Sequence, residues 1–333
     1  MREGRVVADR SIGELGEFGL IAQMASRARP GPGTIVGIGD DAAVLAAPDG
    51  RVVATTDFLL EGRHFRVDWA APGDIGHRAA VRSLADVAAM GAVPTALLVA
   101  FAAPPEVAAG WALDLFAGLA AEAERAGATV AGGDTAQAGS VLLAVTGLGD
   151  LQGRAPVRRS DARPGDVVAV AGPLGRSAAG LALLEAGLSE PAELIAAHLR
   201  PSPPYDAGPE AAVLGATAMI DVSDGLLADL GHVADASGVL IDVRSGLLDT
   251  GPLEAAAAVL AAKDPGDRTD SGARPSALAW ALTGGEDHSL VATFPPEAGL
   301  PARWSVIGDV RAGQGVLVDG RTYSGAAGWE HFR

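Results

Sequence analysis

Short apolar runs alternate with longer amphipathic stretches through the first half of the chain, a pattern typical of a mixed α/β domain. Residues 11–29, 74–90 and 105–125 predict helices, because their apolar residues recur at helical spacing and Gly or Pro closely follows each stretch. Strands are predicted between them, at 35–38, 51–56, 95–101, 128–131 and 141–148. The first half is therefore expected to fold as mixed α/β, with its polar motifs at strand ends.

A polar stretch rich in Arg, Gly and Pro separates the two halves of the chain at residues 150–165. Such stretches are typical of domain boundaries, so we expect domains at residues 1–150 and 151–333. The second half predicts an α/β domain with strands at 166–171, 217–220, 239–243, 289–294, 304–309 and 315–318. Residues 263–276, rich in Pro, Gly and Asp, predict a mobile loop.

Acidic and hydroxyl side chains follow two apolar runs near the N-terminus. The run that ends at Ile38 is followed by Gly39-Asp40-Asp41, and the next run is followed by Thr55-Thr56-Asp57. If the two runs are neighbouring strands, three carboxylates and two hydroxyls meet in a small volume, where the carboxylates repel one another unless a cation lies between them. An oxygen-only ligand set suits Mg²⁺. The alternative is a polar hairpin with solvated Asp residues.

Asp86 shares a helix face with two arginines. Arg78, Arg82 and Asp86 recur at four-residue spacing within the helix predicted at 74–90. This spacing is also typical of a solvated stripe of salt bridges. The neighbours of Asp86 in sequence are nearly all small and apolar, however, and a buried carboxylate among them requires a partner or a cation. We therefore favour a functional role for Asp86.

Further acidic turns follow predicted strands later in the chain. They are Gly132-Gly133-Asp134, Asp221-Val222-Ser223-Asp224 and Gly284-Gly285-Glu286. Paired glycines let the backbone approach a ligand closely, and the acids can hold a metal ion. Each motif could equally be a plain turn, and Ser223 and Asp224 are also good helix-capping residues. The Gly-rich residues 172–177 predict either a phosphate cradle at a helix start or a simple connection.

Composition limits the chemistry and the partners. The chain carries a net charge of −16, contains no cysteine, and has Lys263 as its only lysine. It therefore lacks both the basic footprint of a nucleic-acid-binding protein and any thiolate chemistry, although metal ions can still mediate polyphosphate binding. No apolar run approaches the roughly 20 residues of a membrane span. We expect a cytoplasmic protein without nucleic-acid or membrane partners, and a core of small aliphatic side chains, since only 4% of residues are aromatic.

The acidic turns are more informative together than singly. Five of them stand at strand ends or helix starts in a chain almost without lysine. In phosphoryl transfer the protein mainly positions the reactants, and metal ions bridge the phosphate oxygens. A polynuclear Mg²⁺ site that handles polyphosphate therefore explains the pattern better than five coincidences.

In their order along the chain, these motifs resemble the thiamine-monophosphate kinase family of the aminoimidazole ribonucleotide synthetase superfamily. The resemblance covers nearly the whole chain, and Gly16-Glu17-Phe18, the His64 region and the tail Trp329-Glu330-His331-Phe332 look specific to that family. It implies a two-domain α+β, mixed α/β fold, with an N-terminal ATP- and Mg-binding domain whose sheet pairs across a homodimer and a C-terminal α/β domain that completes the active site. The implied reaction is direct, in-line transfer of the ATP γ-phosphoryl group to thiamine monophosphate, which gives thiamine diphosphate without a phospho-enzyme.

The resemblance also implies a role for each matching residue. The ligands of several Mg²⁺ ions would be Asp41, Thr55, Thr56, Asp57, Asp86, Asp134, Asp221 and Asp224. The ATP contacts would be Gly133, Asp134, Arg159 and Ser223. The thiamine-phosphate pocket would contain His64, Glu286 and Trp329, and a cationic heteroaromatic ligand favours an aromatic face such as that of Trp329 with a carboxylate nearby.

Two departures from the family pattern leave the implied metal ligands intact. The family usually has Gly-Glu-Asp-Tyr-Glu-Leu where this chain has Gly285-Glu286-Asp287-His288-Ser289-Leu290, and an Asn common before Asp86 is Ser83 here. Two alternatives remain open: another ATP-dependent synthetase of the superfamily, or a non-catalytic nucleotide-binding relative. The synthetases tend to carry a Gly-rich or Cys-bearing N-terminal segment, which this chain lacks, and a degenerate site would be expected to have lost some of its acids.

Overall fold

Two compact units divide the chain close to residue 153. The computed structural model describes residues 10–38, 42–263 and 276–329. The first unit comprises Met1–Ala88 and Ala92–Gly153, and the second comprises Ala89–Gly91 and Arg154–Arg333. Asp41 and nearly all of the loop predicted at 263–276 lie outside the described residues.

The first unit mixes helices and strands, as the hydrophobic pattern predicts. Its elements in chain order are α1 (Ile12–Leu15), α2 (Glu17–Ala25), β1 (Thr34–Val36), β2 (Val44–Leu45), β3 (Val53–Leu60), α3 (Pro72–Ala89), β4 (Val93–Ala103), α4 (Ala109–Arg125), β5 (Thr129–Gln137) and β6 (Leu142–Asp150). The single helix predicted at 11–29 is interrupted, because Gly16 has a φ of 75°, which ends α1 before α2 begins.

A four-stranded sheet, in the order β3-β6-β4-β5, is the centre of the first unit. Its strands are antiparallel except for the parallel pair β4 and β5. On β6, Leu143 and Val145 are buried, whereas Leu142 and Ala144 on the opposite face are only half-buried. Phe58 of β3, which belongs to that second face, is 55% exposed. One face of the sheet is therefore core, and the other lacks a covering layer within the described residues.

Helices α3 and α4 cover the buried face, and glycines set their distance from each other. A Cβ atom added at Gly76 would lie 1.8 Å from the carbonyl oxygen of Leu115, and one added at Gly118 would lie 2.0 Å from that of Gly73. No larger side chain fits at either position without moving backbone. The two helices are therefore packed backbone against backbone.

The expected pairing of the two N-terminal apolar runs is wrong. Strand β1, which overlaps the first run, pairs with the short β2 in a separate two-stranded sheet, whereas β3 pairs with β6. The reason is that Val44–Leu45 is closer to β1 along the chain than β3 is, and it takes the edge of β1 that the prediction assigned to β3.

The second unit contains a mixed sheet with helices around it. Its elements in chain order are β7 (Val167–Ala171), α5 (Arg176–Glu185), α6 (Ala192–Leu199), α7 (Ala207–Leu214), β8 (Ala218–Asp221), α8 (Leu226–Ser237), β9 (Leu240–Val243), a 3-10 turn (Ser245–Leu247), α9 (Gly251–Lys263), α10 (Ala277–Thr283), β10 (Leu290–Phe294), β11 (Trp304–Arg311) and β12 (Gly315–Val318).

Small aliphatic side chains fill the core of the second unit. The six strands follow the order β12-β9-β11-β7-β10-β8, and only β12 and β9 are parallel. Every residue of β8 and β10 is buried, so both faces of these strands are covered. Val168, Ile220, Leu230 and Ile307 are among the buried core residues, in agreement with the low aromatic content. Within the described residues, no helix is both long enough and apolar enough to cross a membrane.

Candidate active site

Thr55 and Asp57 lie on the face of the first-unit sheet that α3 covers. Side chains alternate along a strand, so these two residues of β3 point the same way, toward Ser83 and Asp86 of α3. The Thr55 hydroxyl donates a hydrogen bond of 2.6 Å to Asp86 Oδ2, and Ser83 Oγ lies 3.2 Å from Asp57 Oδ2. The structure thus brings together three of the predicted metal ligands, Thr55, Asp57 and Asp86.

Arginines accompany these carboxylates. The Nε atom of Arg82 lies 3.9 Å from Asp57 Oδ1, and both side chains are mostly buried. Arg78, one turn earlier on α3, is buried as well. The row formed by Arg78, Arg82 and Asp86 therefore faces the protein interior, which excludes a solvated stripe of salt bridges.

Thr56 lies on the other face of the sheet. Its hydroxyl accepts a hydrogen bond from Thr146 of β6 at 3.2 Å, on the face where Phe58 is exposed. Adjacent residues of a strand cannot share a face. The structure consequently separates Thr56 from Thr55 and Asp57, with which it was grouped as a metal ligand.

Asp134 lies on β5, the sheet edge farthest from β3. The strand register pairs Asp134 with Ala100, Ala100 with Ala144, and Ala144 with Phe58. Asp134 is therefore on the face of Phe58, opposite to that of Asp57. Three strand spacings of ~4.8 Å put the two strands about 14 Å apart. Within one chain, Asp134 and Asp57 do not meet.

Gly133 borders an apolar cavity beside Asp134. The cavity is lined by side chains of α2, β4 and α4, which include Met24, Phe101 and Phe116. A Cβ atom at Gly133 would lie 1.9 Å from the carbonyl oxygen of Val99, so the pairing of β4 with β5 requires glycine here. This packing requirement accounts for the glycine whether or not a nucleotide binds.

His64 follows β3 in a tight turn that fixes its tautomer. The backbone N–H of Leu60 donates a hydrogen bond to His64 Nδ1 at 3.0 Å. In the neutral ring the proton therefore resides on Nε2, which makes that atom a hydrogen-bond donor. Sequence reasoning identified the residue but not the atom.

In the second unit, three separate segments meet at the predicted ligand residues. The N–H of Glu286 donates to the carbonyl oxygen of Ser223 at 2.8 Å, and the N–H of Trp329 donates to that of Asp224 at 2.9 Å. Asp221 precedes them as the last residue of β8. The predicted metal ligands Asp221 and Asp224 are thus brought to the predicted substrate residues Glu286 and Trp329.

Glycines allow these segments to approach one another so closely. A Cβ atom at Gly285 would lie 2.3 Å from the carbonyl oxygen of Ser223, and one at Gly328 would lie 2.4 Å from that of Asp224. The glycine before Trp329 therefore permits the tail to lie on the turn that carries Asp224. The indole itself is 56% exposed.

Asp229 holds the turn before α8 in place, a role that sequence reasoning missed. Its Oδ2 atom accepts hydrogen bonds from the N–H groups of Ser223, Asp224 and Gly225 at 3.0, 3.1 and 3.1 Å. Burial, together with the charges of Asp221 and Asp224, raises the pKa of Asp229 to about 7. The signal available in sequence was an acid four residues after a glycine at a helix start.

His288 is buried between two acids. Its Nδ1 atom lies 3.1 Å from Asp221 Oδ2, and its Nε2 atom lies 3.7 Å from Glu286 Oε2. Burial lowers the pKa of His288, but the hydrogen bonds and charges of Asp221 and Glu286 outweigh it and raise the pKa to about 10. The ring is therefore an imidazolium at neutral pH.

Asp287 occupies the position that a phosphate would take at the start of α5. Its carboxylate accepts hydrogen bonds from the N–H groups of Gly175 at 2.5 Å and Ser177 at 2.8 Å. Burial raises the pKa of this carboxyl to about 7, against the opposing effect of the two N–H donors. Residues 172–177 are thus a connection closed by a side chain of the protein, not a phosphate cradle.

Arg159, a predicted ATP contact, lies in the segment that leads into the second unit. Its carbonyl oxygen accepts a hydrogen bond of 2.8 Å from Ser237 Oγ at the end of α8, and the residue is exposed. The described contacts place it at the opposite end of α8 from Ser223 and Asp224, which precede that helix.

The donor set of the first unit fits Mg²⁺ chemically. Thr55, Asp57 and Asp86 offer hydroxyl and carboxylate oxygens, which are the ligands that Mg²⁺ prefers. In the parts of the chain that the structure describes, no group of three or more His, Asp or Glu side chains converges closely enough to hold a metal ion. Asp41, the remaining carboxylate predicted for this group, lies outside those parts.

Both halves of the chain match models of the AIR synthase related proteins. The model of the N-terminal domain matches residues 39–151, and the model of the C-terminal domain matches residues 163–319. Thiamine-monophosphate kinase of Mycobacterium tuberculosis is 48% identical over 97% of this chain and 93% of its own length. That of Corynebacterium glutamicum is 39% identical over 97% of this chain and 95% of its own. The chain therefore belongs to the thiamine-monophosphate kinase family of the AIR synthase related proteins.

Solved structures share the two-domain fold. AaThiL complexed with AMPPCP and TMP is 33% identical and superposes with a TM-score of 0.76, covering 96% of this chain and 98% of that one. Thiamine-monophosphate kinase from Stenotrophomonas maltophilia has a TM-score of 0.76 at 34% identity, covering 91% and 96%. Hydrogenase maturation protein HypE, at 19% identity and a TM-score of 0.71, is similar in fold alone. The expected superfamily fold is confirmed.

Proposed function

We propose that this chain is a phosphotransferase of thiamine biosynthesis that transfers the γ-phosphoryl group of ATP to the phosphate of thiamine monophosphate. The observation that carries the proposal is the meeting of Asp221, Asp224, Glu286 and Trp329 in the second unit. Two relatives that share 48% and 39% of its residues over almost its whole length are thiamine-monophosphate kinases, and a neighbour in fold binds AMPPCP and TMP. An oxygen of the substrate phosphate bonds to the γ-phosphorus as the bond to the ADP oxygen breaks.

The substrate end of this site is built for a cationic aromatic ring next to a phosphate. The exposed indole of Trp329 offers a π-face, and the Glu286 carboxylate offers a negative charge, both of which favour a thiazolium cation. The Nε2–H group of His64 is proposed to donate to the substrate phosphate. Selectivity for thiamine monophosphate over other phosphorylated compounds would thus come from ring stacking and charge together.

ATP is proposed to bind the first unit at Gly133 and Asp134, where the apolar cavity bordered by Phe116 would take the base. Arg159 and Ser223 are proposed as further ATP contacts. Mg²⁺ ions would be held by Asp41, Thr55, Thr56, Asp57, Asp86, Asp134, Asp221 and Asp224. When bound, they neutralise phosphate oxygens during transfer. That the C-terminal domain completes the active site stays a prediction.

A homodimer would resolve the separation of Asp134 from Asp57. Strands β3 and β5 are the two edges of the first-unit sheet, and the face with Phe58 is open. If two such sheets close face to face around a twofold axis, the β3 edge of one meets the β5 edge of the other. Asp134 of one copy would then lie one strand spacing from the β3 of the other, on the face of Thr56, and Asp57 follows Thr56 on the opposite face of that strand. Both copies would thus contribute ligands to one polynuclear metal site.

The chain is further proposed to be cytoplasmic, because ATP and the phosphorylated vitamin are cytoplasmic metabolites and the chain carries no cysteine. Two alternatives to the kinase, namely another superfamily synthetase and a non-catalytic nucleotide-binding protein, predict different products. The synthetase would release ADP only with another acceptor, and the binding protein would release none.

The deciding experiment is to incubate the protein with ATP, Mg²⁺ and thiamine monophosphate and to measure thiamine diphosphate and ADP by chromatography. Equal amounts of the two products are expected, with neither formed when Mg²⁺ is chelated. Absence of both products would refute the kinase. ADP formed only after another small-molecule acceptor is added would then favour the synthetase, and nucleotide binding without ADP under any of these conditions would favour the binding protein.

A further inference from the structure

We propose that His288 is a positioning residue that ties Asp221 to Glu286 through the two nitrogens of its imidazole ring. The inference rests on the function proposed above, in which Asp221 is a metal ligand and Glu286 a substrate contact. A single ring would then align the metal-binding and the thiamine-binding parts of the second unit.

Each of the two nitrogen-bearing edges of the ring faces one of these carboxylates. Its Nδ1 atom is 3.1 Å from Asp221 Oδ2, within hydrogen-bond distance, and its Nε2 atom is 3.7 Å from Glu286 Oε2, at ion-pair distance. His288 is 2% exposed, whereas the side chain of Glu286 retains 27% exposure. One end of the link is therefore inside the protein, and the other is accessible to a ligand. Contacts of this length in a ligand-free site commonly shorten when the substrate binds.

The backbone prevents the ring from adjusting freely. Glu286 and His288 have φ values of 65° and 53°, in the left-handed region that few residues with side chains adopt. The N–H groups of both residues are held by the carbonyl oxygens of Ser223 and Val222. Two strained residues tied to the acidic turn indicate that the ring position is determined by the site and not by local chain preference.

The chemistry of histidine favours a bridging role for residue 288 over one of filling space in the core. A buried residue whose task is only to fill space needs no polar atom, and burying one costs free energy unless it is paired. Imidazole has two polar atoms on opposite edges, and both face carboxylates here.

Two amide substitutions can separate the two halves of the bridge. The side-chain nitrogen of Asn can take the place of Nδ1, and that of Gln the place of Nε2. His288→Asn should keep the contact with Asp221 and lose that with Glu286, His288→Gln should do the reverse, and His288→Phe should lose both. The readouts are thiamine-monophosphate affinity by calorimetry without nucleotide, and Mn²⁺ affinity by electron paramagnetic resonance.

We expect His288→Asn to weaken thiamine-monophosphate binding roughly tenfold with Mn²⁺ binding near wild type, since a hydrogen bond to a charged group is lost. His288→Gln should weaken Mn²⁺ binding by a similar factor with substrate affinity near wild type. Ser289→Ala is the control, because this buried neighbour donates to the carbonyl oxygen of Pro173 instead, and it should change neither affinity.

Equal losses in the Asn and Gln variants, or wild-type affinities in both, would overturn the bridge. If His288→Phe does not fold, the contrast between Asn and Gln still decides. The wild-type protein separates this inference from the function on which it rests. Without formation of thiamine diphosphate by the wild type, the proposed function fails. If the wild type forms thiamine diphosphate but the Asn and Gln variants do not differ in which affinity they lose, only the bridging role of His288 is refuted.

Discussion

A hydrogen bond of 2.6 Å joins the hydroxyl of Thr55 on β3 to the carboxylate of Asp86 on α3. It crosses from strand to helix inside the first unit, so the two groups hold each other in place before any ligand arrives. Asp57 is the next residue of β3 on the same face and has Arg82 at 3.9 Å. These residues form a rigid group of oxygen atoms, since α3 is also locked against α4 by Gly76 and Gly118.

Asp57→Asn should abolish turnover while the fold survives. The substitution keeps the shape of the side chain but removes the negative charge proposed to face Mg²⁺. We expect a decrease in kcat of about 100-fold or more, because the lost charge acts on the transferred phosphoryl group, with thermal unfolding near that of the wild type. The matched control is Asp114→Asn, which removes an exposed charge from α4. A wild-type rate in Asp57→Asn would refute the metal assignment.

Asp134→Asn should also be inactive, and the two inactive variants should complement each other. In a mixed dimer of Asp57→Asn and Asp134→Asn chains, one of the two sites retains both carboxylates if Asp134 serves the site of the other copy. Coexpressed chains that mix randomly should regain about a quarter of wild-type activity, since half the dimers are mixed and each has one intact site. If both carboxylates act within one chain, coexpression will restore nothing.

Trp329→Ala should raise the KM for thiamine monophosphate with less effect on that for ATP. The loss of an aromatic face under a cationic ring removes about 1 kcal/mol or more, a factor of roughly 5 to 10. Trp329→Phe keeps a π-face and should recover most of the affinity. Steady-state kinetics with each substrate varied provides the measurement, and an unchanged KM in the Ala variant would show that the tail lies outside the pocket.

Asp287 should make the stability of the protein fall as the pH rises from about 4 to about 7. Burial raises its pKa from 3.8 to about 7 in the folded chain, so in this range the unfolded chain has released a proton that the folded chain retains. Raising the pH therefore favours the unfolded state. Thermal unfolding of wild type and Asp287→Asn should be compared across this range, since Asn cannot titrate. A difference in melting temperature that does not change with pH would contradict the shift.

Part of this site is readable in the sequence, and the remainder depends on tertiary placement. The helix with Asp86 and the end of β8 at Asp221 were predicted close to their observed positions, because apolar periodicity defines them. Asp57 and Asp134 were predicted to follow strands at 51–56 and 128–131, and this is wrong: they lie inside β3 (Val53–Leu60) and β5 (Thr129–Gln137), because strand pairing continues past the apolar runs. The opposite orientations of Thr55 and Thr56 were also available from the period of two along a strand, although the prediction grouped them.

Contacts between distant segments could not be predicted in this way. Nothing local indicates that β1 would pair with β2 instead of β3, because Val44–Leu45 and the start of β3 both consist of apolar residues that suit a strand. The position of Asp287 at the start of α5 joins residues 110 or more apart in the chain. Similarly, that His288 would contact Asp221 depends on β10 pairing with β8.

Two turns whose backbone N–H groups could bind an anion use those groups to bind carboxylates of the same chain. Asp287 takes the N–H groups at the start of α5, and Asp229 takes those before α8. With a single lysine and a net charge of −16, the chain presents a polyphosphate with more repulsion than attraction. Divalent cations must then supply the positive charge that neutralises the polyphosphate. Inorganic phosphate or sulfate alone should accordingly be a poor competitor, and the free Mg²⁺ level should govern nucleotide affinity.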